Sequence, residues 1–215
     1  MTENKKKGAI IPWDEAKLVI KHYQDMHPLP SAFGSAIPIS SFKIPKEGVL
    51  EIVNQTDENE GKMFLSIGYH NDLPRSGESA GYTLIAFAVD SYGKLIKTVT
   101  SSAYDSKVGI ISAAVALGTV QNYQNNTDLK INTIENKLLK GFNAVISELK
   151  AICSIEEVVN IEFLFAYRHI SNDETVAVGY TIVIVGLDHT GDKITEDGFV
   201  YDYCHPCPNS CPIGA

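Results

Sequence analysis

No stretch of this 215-residue chain is long and apolar enough to span a bilayer. The longest apolar runs, Leu84 to Val89 and Ile182 to Leu187, fall well below the roughly 20 residues a membrane helix needs. After Lys5-Lys6-Lys7 the apolar stretch stops at Asp14, short of a secretory signal, so a cytoplasmic protein with no membrane attachment is expected. Basic residues are scarce: 18 Lys and Arg stand against 26 Asp and Glu, for a net charge of -8, and Lys5 to Lys7 is the one basic run. Such a surface repels phosphate backbones, which argues against nucleic acid as a partner. Cysteine is sparse as well. Cys153 stands alone and Cys204, Cys207 and Cys211 crowd the tail, which is not the spacing of a disulfide framework.

Catalytic signatures are missing in the same way. Neither Gly-x-x-x-x-Gly-Lys-Ser/Thr nor Gly-x-Gly-x-x-Gly occurs, which removes the usual phosphate-binding loops. Gly77-Glu78-Ser79-Ala80-Gly81 matches the hydrolase pattern Gly-x-Ser-x-Gly. That pattern needs a strand before it and a helix after it, whereas here a polar loop precedes and a strand follows. Ser35, Ser40, Ser41, Ser101 and Ser102 lack even the pattern, and Glu51, Glu156 and Glu157 read as solvated.

What the chain does contain is a repeat of itself. Gly81 to Ile96 lies over Gly179 to Ile194 without a gap at an offset of 98, with six of sixteen positions identical, where about one is expected from residue frequencies. The offset carries Tyr69 onto Tyr167, and an offset of 100 carries Ala16, Ile20, Tyr23 and Gln24 onto Ala116, Val120, Tyr123 and Gln124. With 44% apolar and 20% charged residues, the chain can bury a core as one domain or two.

Ala16, Val19, Ile20 and Tyr23 recur at helical spacing, which predicts an amphipathic helix over 13–23. Pro28, Pro30 and Pro38 mark a loop, and Pro45 suits the start of a short helix ending near 53. Strands are expected over 63–69 and 82–89. In the second copy, helices are expected over 106–124 and 131–152, and strands over 161–167, 176–187 and 193–201. Asp90-Ser91-Tyr92-Gly93 and Asp188-His189-Thr190-Gly191 suit hairpin turns, in which Asp caps backbone amides and Gly accepts positive φ; they close onto strands over 94–100 and 192–199. Tyr82, Leu84, Ala86 and Ala88 face one way and Thr83, Ile85, Phe87 and Val89 the other. Both faces therefore need cover, from the other copy or from another subunit.

The expected fold class is α+β: two tandem copies of a helix-helix-antiparallel three-stranded meander in a pseudo-twofold arrangement. The division is 1–102 for the first copy, 103–203 for the second and 204–215 for a Cys/Pro-rich tail. Asp14-Glu15-Ala16, the strand running into Asp188-His189-Thr190-Gly191, and the pairs Cys207-Pro208 and Cys211-Pro212 together resemble a family of short uncharacterised bacterial proteins. Its members usually carry one such hairpin unit. The resemblance implies no activity and transfers no catalytic residue.

Two groups of candidate site residues stand out. Cys204, His205, Cys207 and Cys211 offer the donors of a tetrahedral Cys3His zinc site or, with an open position, of an iron-sulfur cluster. The alternatives are a thiol-redox or disulfide role, or a plain terminal tail without a cofactor. Tyr69 and His70, with Tyr167, Arg168 and His169, sit at corresponding strand ends and could line a cleft between the copies, although strand ends commonly carry such residues. Asp90 and Asp188 could act as acid and base, but their turns already account for them. No catalytic set assembles. The expected function is a non-enzymatic, self-associating or partner-binding module acting through its sheets or strand edges, with a homo-oligomer or a protein partner. A metal or thiol-redox protein, and an enzyme or small-ligand binder with an inter-copy cleft, are the alternatives.

Overall fold

The computed structural model describes residues 9–26, 40–56, 62–72, 81–90, 94–96, 102–125, 139–168, 179–195 and 200–203. The first half holds β1 (Ala9–Ile10), α1 (Trp13–Met26), β2 (Ser41–Pro45), α2 (Lys46–Val53), β3 (Lys62–Tyr69) and β4 (Tyr82–Val89). There follow β5 (Ser102–Asp105), β6 (Gly109–Ser112), α3 (Ala113–Asn125), β7 (Gly141–Val145), α4 (Ile146–Ser154), β8 (Asn160–Arg168), β9 (Gly179–Leu187), β10 (Lys193–Ile194) and β11 (Val200–Tyr203). The fold is α+β with two antiparallel sheets. One runs β1-β11-β9-β8-β2, with β10 also on β9, and the other runs β6-β5-β4-β3-β7. No helix among the described residues is long and apolar enough to cross a membrane.

Burial in the strands follows the two-faced pattern. Leu84, Ala86 and Ala88 join Ile182, Ile184, Phe163 and Phe165 in one core between the sheets. Their neighbours Ile85, Phe87 and Val89 pack with Phe64, Ala116 and Val120 under α3, while Val183 and Val185 pack with Ala16, Val19 and Ile20 under α1. Both faces of the central strands β4 and β9 are thus covered within one chain. An open second face, the ground on which a homo-oligomer was expected, is not found on these strands.

Cover and edges come from unexpected places. β2 pairs with β8, Phe42 opposite Phe163 and Ile44 opposite Ile161. β7 pairs with β3, Phe142 opposite Leu65 and Ala144 opposite Met63. The sheet containing β3 and β4 is thus completed by a later strand and helix, and that containing β8 and β9 by the earliest ones, so pairing crosses the expected 102/103 boundary. α2 and α4 pack against each other, with Val49, Ile52, Leu149 and Ile152 in the shared core.

Three expected elements differ. The helix expected from 106 begins at Ala113, because 102–112 forms the β5–β6 hairpin. Ala103 and Asp105 are buried in β5 while Ser102 and Tyr104 are half-buried, and this alternation is a strand's. Of the helix expected over 131–152, residues 131–138 lie outside the described residues, Gly141–Val145 forms β7, and the described helix starts at Ile146. Phe142, Ile146, Leu149 and Cys153 have helical spacing, but Phe142 and Ala144 also alternate as a strand, and β7 runs so close to β3 that a Cβ on Gly141 would lie 2.0 Å from the Leu65 carbonyl oxygen. Of the strand expected over 94–100, the described residues 94–96 return along the end of β4, Leu95 bridging Val89 and the Ile96 N–H reaching the Ala88 carbonyl at 3.1 Å, while farther along β4 the neighbour is β5, at Ile85 and Ala86.

Candidate functional site

At one end of hairpins β3–β4 and β8–β9 the two strands carry facing tyrosines. Tyr69 stands opposite Tyr82 and Tyr167 opposite Tyr180, with ring centroids 5.2 Å apart in each pair at interplanar angles of 83° and 84°. Helices add one tyrosine to each pair: Tyr123 of α3 meets Tyr82 at 6.2 Å, and Tyr23 of α1 meets Tyr180 at 6.1 Å. All six rings are buried, since their positions on each element fall on the face turned to the common core. Tyr123 donates to the Leu139 carbonyl at 2.9 Å. Burial resists ionisation of these phenols. It raises Tyr23 strongly, with Tyr180, Tyr123 and Tyr82 adding to the effect, and it pushes Tyr82 up to about 12, with Tyr69 adding.

The next residue along β3 lies on the other side of the pleat. His70 closes the hairpin through its backbone N–H to Gly81, 2.9 Å, and its Nε2 lies 2.8 Å from Asp105 Oδ2. Asp105 is buried opposite Ile85. Its Oδ1 accepts from the Thr83 hydroxyl at 2.5 Å and from the Lys107 amide at 2.9 Å. On the other side of the ring, His70 Nδ1 lies 4.0 Å from the exposed Asp72 carboxylate. Ser106 Oγ lies 3.0 Å from the Thr83 hydroxyl and accepts the Leu84 N–H at 3.1 Å.

In the second half, Arg168 occupies the corresponding strand end and reaches Glu15 of α1, Nη1 to Oε1 2.9 Å. Thr181 is buried in the place of Thr83, and Asp202 stands opposite Val183 as Asp105 stands opposite Ile85.

The structure therefore gathers Tyr69 and Tyr167 into the inner tyrosine group and sends His70 and Arg168 to the opposite faces of the sheets, each against a carboxylate. They do not form a single lining. His169, Gly93 and the tail group Cys204, His205, Cys207 and Cys211 lie outside the described residues. Among those described, no cluster of three or more His, Cys, Asp or Glu could hold a metal ion. Cys153 is buried and its thiol is pushed up to about 11, chiefly by burial, which makes it a poor nucleophile. Asp188 keeps its turn role. Its Oδ1 accepts from the Thr190 and Asp192 amides at 2.8 and 2.9 Å, Gly191 has φ of 89°, and the hydrogen bond from the Thr190 hydroxyl leads the effects that lower its carboxyl. Asp90 accepts from the Lys94 amide at 2.8 Å.

Sequence reading missed Asp105, Thr83 and Ser106. The signal was the repeated Tyr-Asp of Tyr104-Asp105 and Tyr201-Asp202, each strand meeting the hairpin at the same place. No protein-family model matches the chain, and neither the curated proteins nor the solved structures give a match to it.

Proposed function

We propose that this chain is a non-enzymatic assembly module, two tandem copies of one unit in pseudo-twofold relation, that associates with a second copy of itself through the β6 edge. In support of the duplication, α1 and α3 begin at 13 and 113, β2 and β7 at 41 and 141, α2 and α4 at 46 and 146, and the paired tyrosines share one geometry.

The observation that carries the assembly reading is β6. Among the described residues it ends its sheet, pairing only with β5, and the stretch around it exposes Val108 (64%), Ile110 (60%) and Val115 (56%). An edge strand offers unpaired N–H and C=O groups, which proteins guard with Pro or Lys. β2, at the end of the other sheet, is guarded by Lys43 and Pro45. β6, Gly109-Ile110-Ile111-Ser112, carries neither. The partner's charge matters as well, because two chains of net charge -8 repel. From Ser106 to Thr127 the one charged residue is Lys107, so two copies can meet there without opposing carboxylates. In an antiparallel pair of identical edges Ile110 faces Ile110 of the second copy, and both sheets keep their buried faces on matching sides.

Light scattering across a concentration series tests this. The intact chain is expected to reach about twice its 23.5 kDa mass, and Ile110→Lys is expected to return it to monomer with unchanged far-ultraviolet circular dichroism. A wild-type chain that stays monomeric throughout the series defeats the proposal.

A further inference from the structure

Each half of the chain leaves its hairpin unfinished. β3–β4 receives its edge from β7 and its outer cover from α3, and β8–β9 receives them from β2 and α1. The two exchanges share one register. Ser41 opposite Leu164 and Phe42 opposite Phe163 correspond to Gly141 opposite Ser66 and Phe142 opposite Leu65, with the same offsets of 100 for the added segment and 98 for the hairpin. The crossing points correspond too. β2 ends at Pro45 and α2 begins at Lys46; β7 ends at Val145 and α4 begins at Ile146. Beyond each crossing the helix turns back to its own half, α2 against β3 and β4, α4 against β9.

We infer that the hairpin edge and outer face of this unit form a binding surface for the helix–strand segment of another unit, so that the partner it fits is a second copy of the half-chain. In the intact protein the two halves fill each other's surface, which makes the chain the fused form of an exchanged dimer. The physical reason is burial. Without the exchanged segment β8 loses its neighbour along one edge, and Leu164, Ala166, Val183 and Val185 meet water; without α3, Phe64, Ile85 and Phe87 do so. A separated half exposes both an edge and an apolar face that fit its own helix–strand segment, and a twofold pair closes both at once. This rests on reading the chain as two copies, and it is independent of association through β6.

The test uses the full-length chain with a protease site engineered between Ile96 and Ser102 and cut after folding, complete cleavage being read on a denaturing gel. The two pieces are expected to elute together at the mass of the intact chain, because neither is complete alone. Elution as two separate folded species overturns the inference. The C-terminal piece, isolated in denaturant and refolded alone, is expected to give a homodimer at twice its own mass. A folded monomer overturns the inference outright. An unfolded monomer, with the cut pieces still held together, also overturns it and places the fault in the equivalence of the two segments, hence in the duplication. In the intact, uncut chain, Val120→Ala is expected to speed amide exchange in β3–β4, and Ile20→Ala in β8–β9. The opposite assignment contradicts the crossed packing.

Discussion

Asp105 is a buried carboxylate with three hydrogen-bond partners, and its removal should be costly. It is fully buried, accepts from the Thr83 hydroxyl at 2.5 Å and the Lys107 amide at 2.9 Å, and shares a hydrogen bond with His70 Nε2 at 2.8 Å. Asp105→Ala leaves all three without that partner, and a buried donor left unsatisfied costs about 1–3 kcal/mol. The full sum is not expected. The Thr83 hydroxyl can turn to Ser106 Oγ, 3.0 Å away, the His70 side chain is 15% exposed, and Lys107 is exposed, so water can reach two of the three. A net loss of about 3 kcal/mol is the working figure, a large share of the 5–15 kcal/mol that holds a domain together. Urea unfolding followed by circular dichroism should show the midpoint falling at unchanged slope. Asp105→Asn keeps the volume and one acceptor oxygen and should lose less. A midpoint for Asp105→Ala within about 0.5 kcal/mol of wild type would refute the claim that this carboxylate organises the strand ends.

Three further outcomes are expected. Tyr23 and Tyr82 have folded pKa values raised, chiefly by burial, above the value near 10 of an unfolded tyrosine; their contribution to stability is complete below pH about 10 and is lost as pH rises towards the folded values, with a slope of about 1.4 kcal/mol per pH unit for each group. Their phenolate absorbance should therefore appear together with unfolding, and titration of all ten tyrosines near pH 10 in a folded chain would contradict the buried cluster. Gly141→Ala should cost about 2 kcal/mol or more in urea unfolding, since its Cβ would lie 2.0 Å from the Leu65 carbonyl oxygen and 2.9 Å from Ser66 Cα; an unchanged midpoint would mean that β7 does not run this close to β3. Elemental analysis of purified protein should find no stoichiometric zinc or iron, whereas about one equivalent per chain, lost in Cys207→Ser, would identify the tail as a metal site.

What could be read in the sequence was local. Alternation within Tyr82–Val89 told which residues face which side, and Asp188 with Gly191 told the turn, because each depends on neighbours a few residues away. β7 was hidden because Phe142, Ile146, Leu149 and Cys153 satisfy a helical period across a strand–helix junction, and what makes the strand is the edge of β3, some 75 residues earlier in the chain. Asp105 was hidden for a related reason. An acidic residue after Tyr104 reads as the edge of a loop until Thr83 and His70, 22 and 35 residues away, are known to supply its hydrogen bonds.

The exchange between halves shows the limit of such reading most clearly. Hydrophobic periodicity records that Ile85 and Val183 are buried on the outer face, and it is the same pattern whether the cover is the unit's own helix or the other's. On the proposed two-copy reading, α1 over β8–β9 and α1 over β3–β4 would bury corresponding residues in corresponding registers, so composition and spacing cannot separate them. Pairs in which the two halves differ can. Glu15 of α1 reaches Arg168 at the end of β8, whereas the corresponding end of β3 carries His70, already engaged by Asp105. On the first hairpin α1 would leave Arg168 without that carboxylate and set Glu15 beside a histidine whose Nε2 is occupied. The asymmetric polar pairs thus favour the crossed arrangement where the apolar pattern is indifferent, and an Arg168→Ala chain should lose protection in α1 before it loses any in α3.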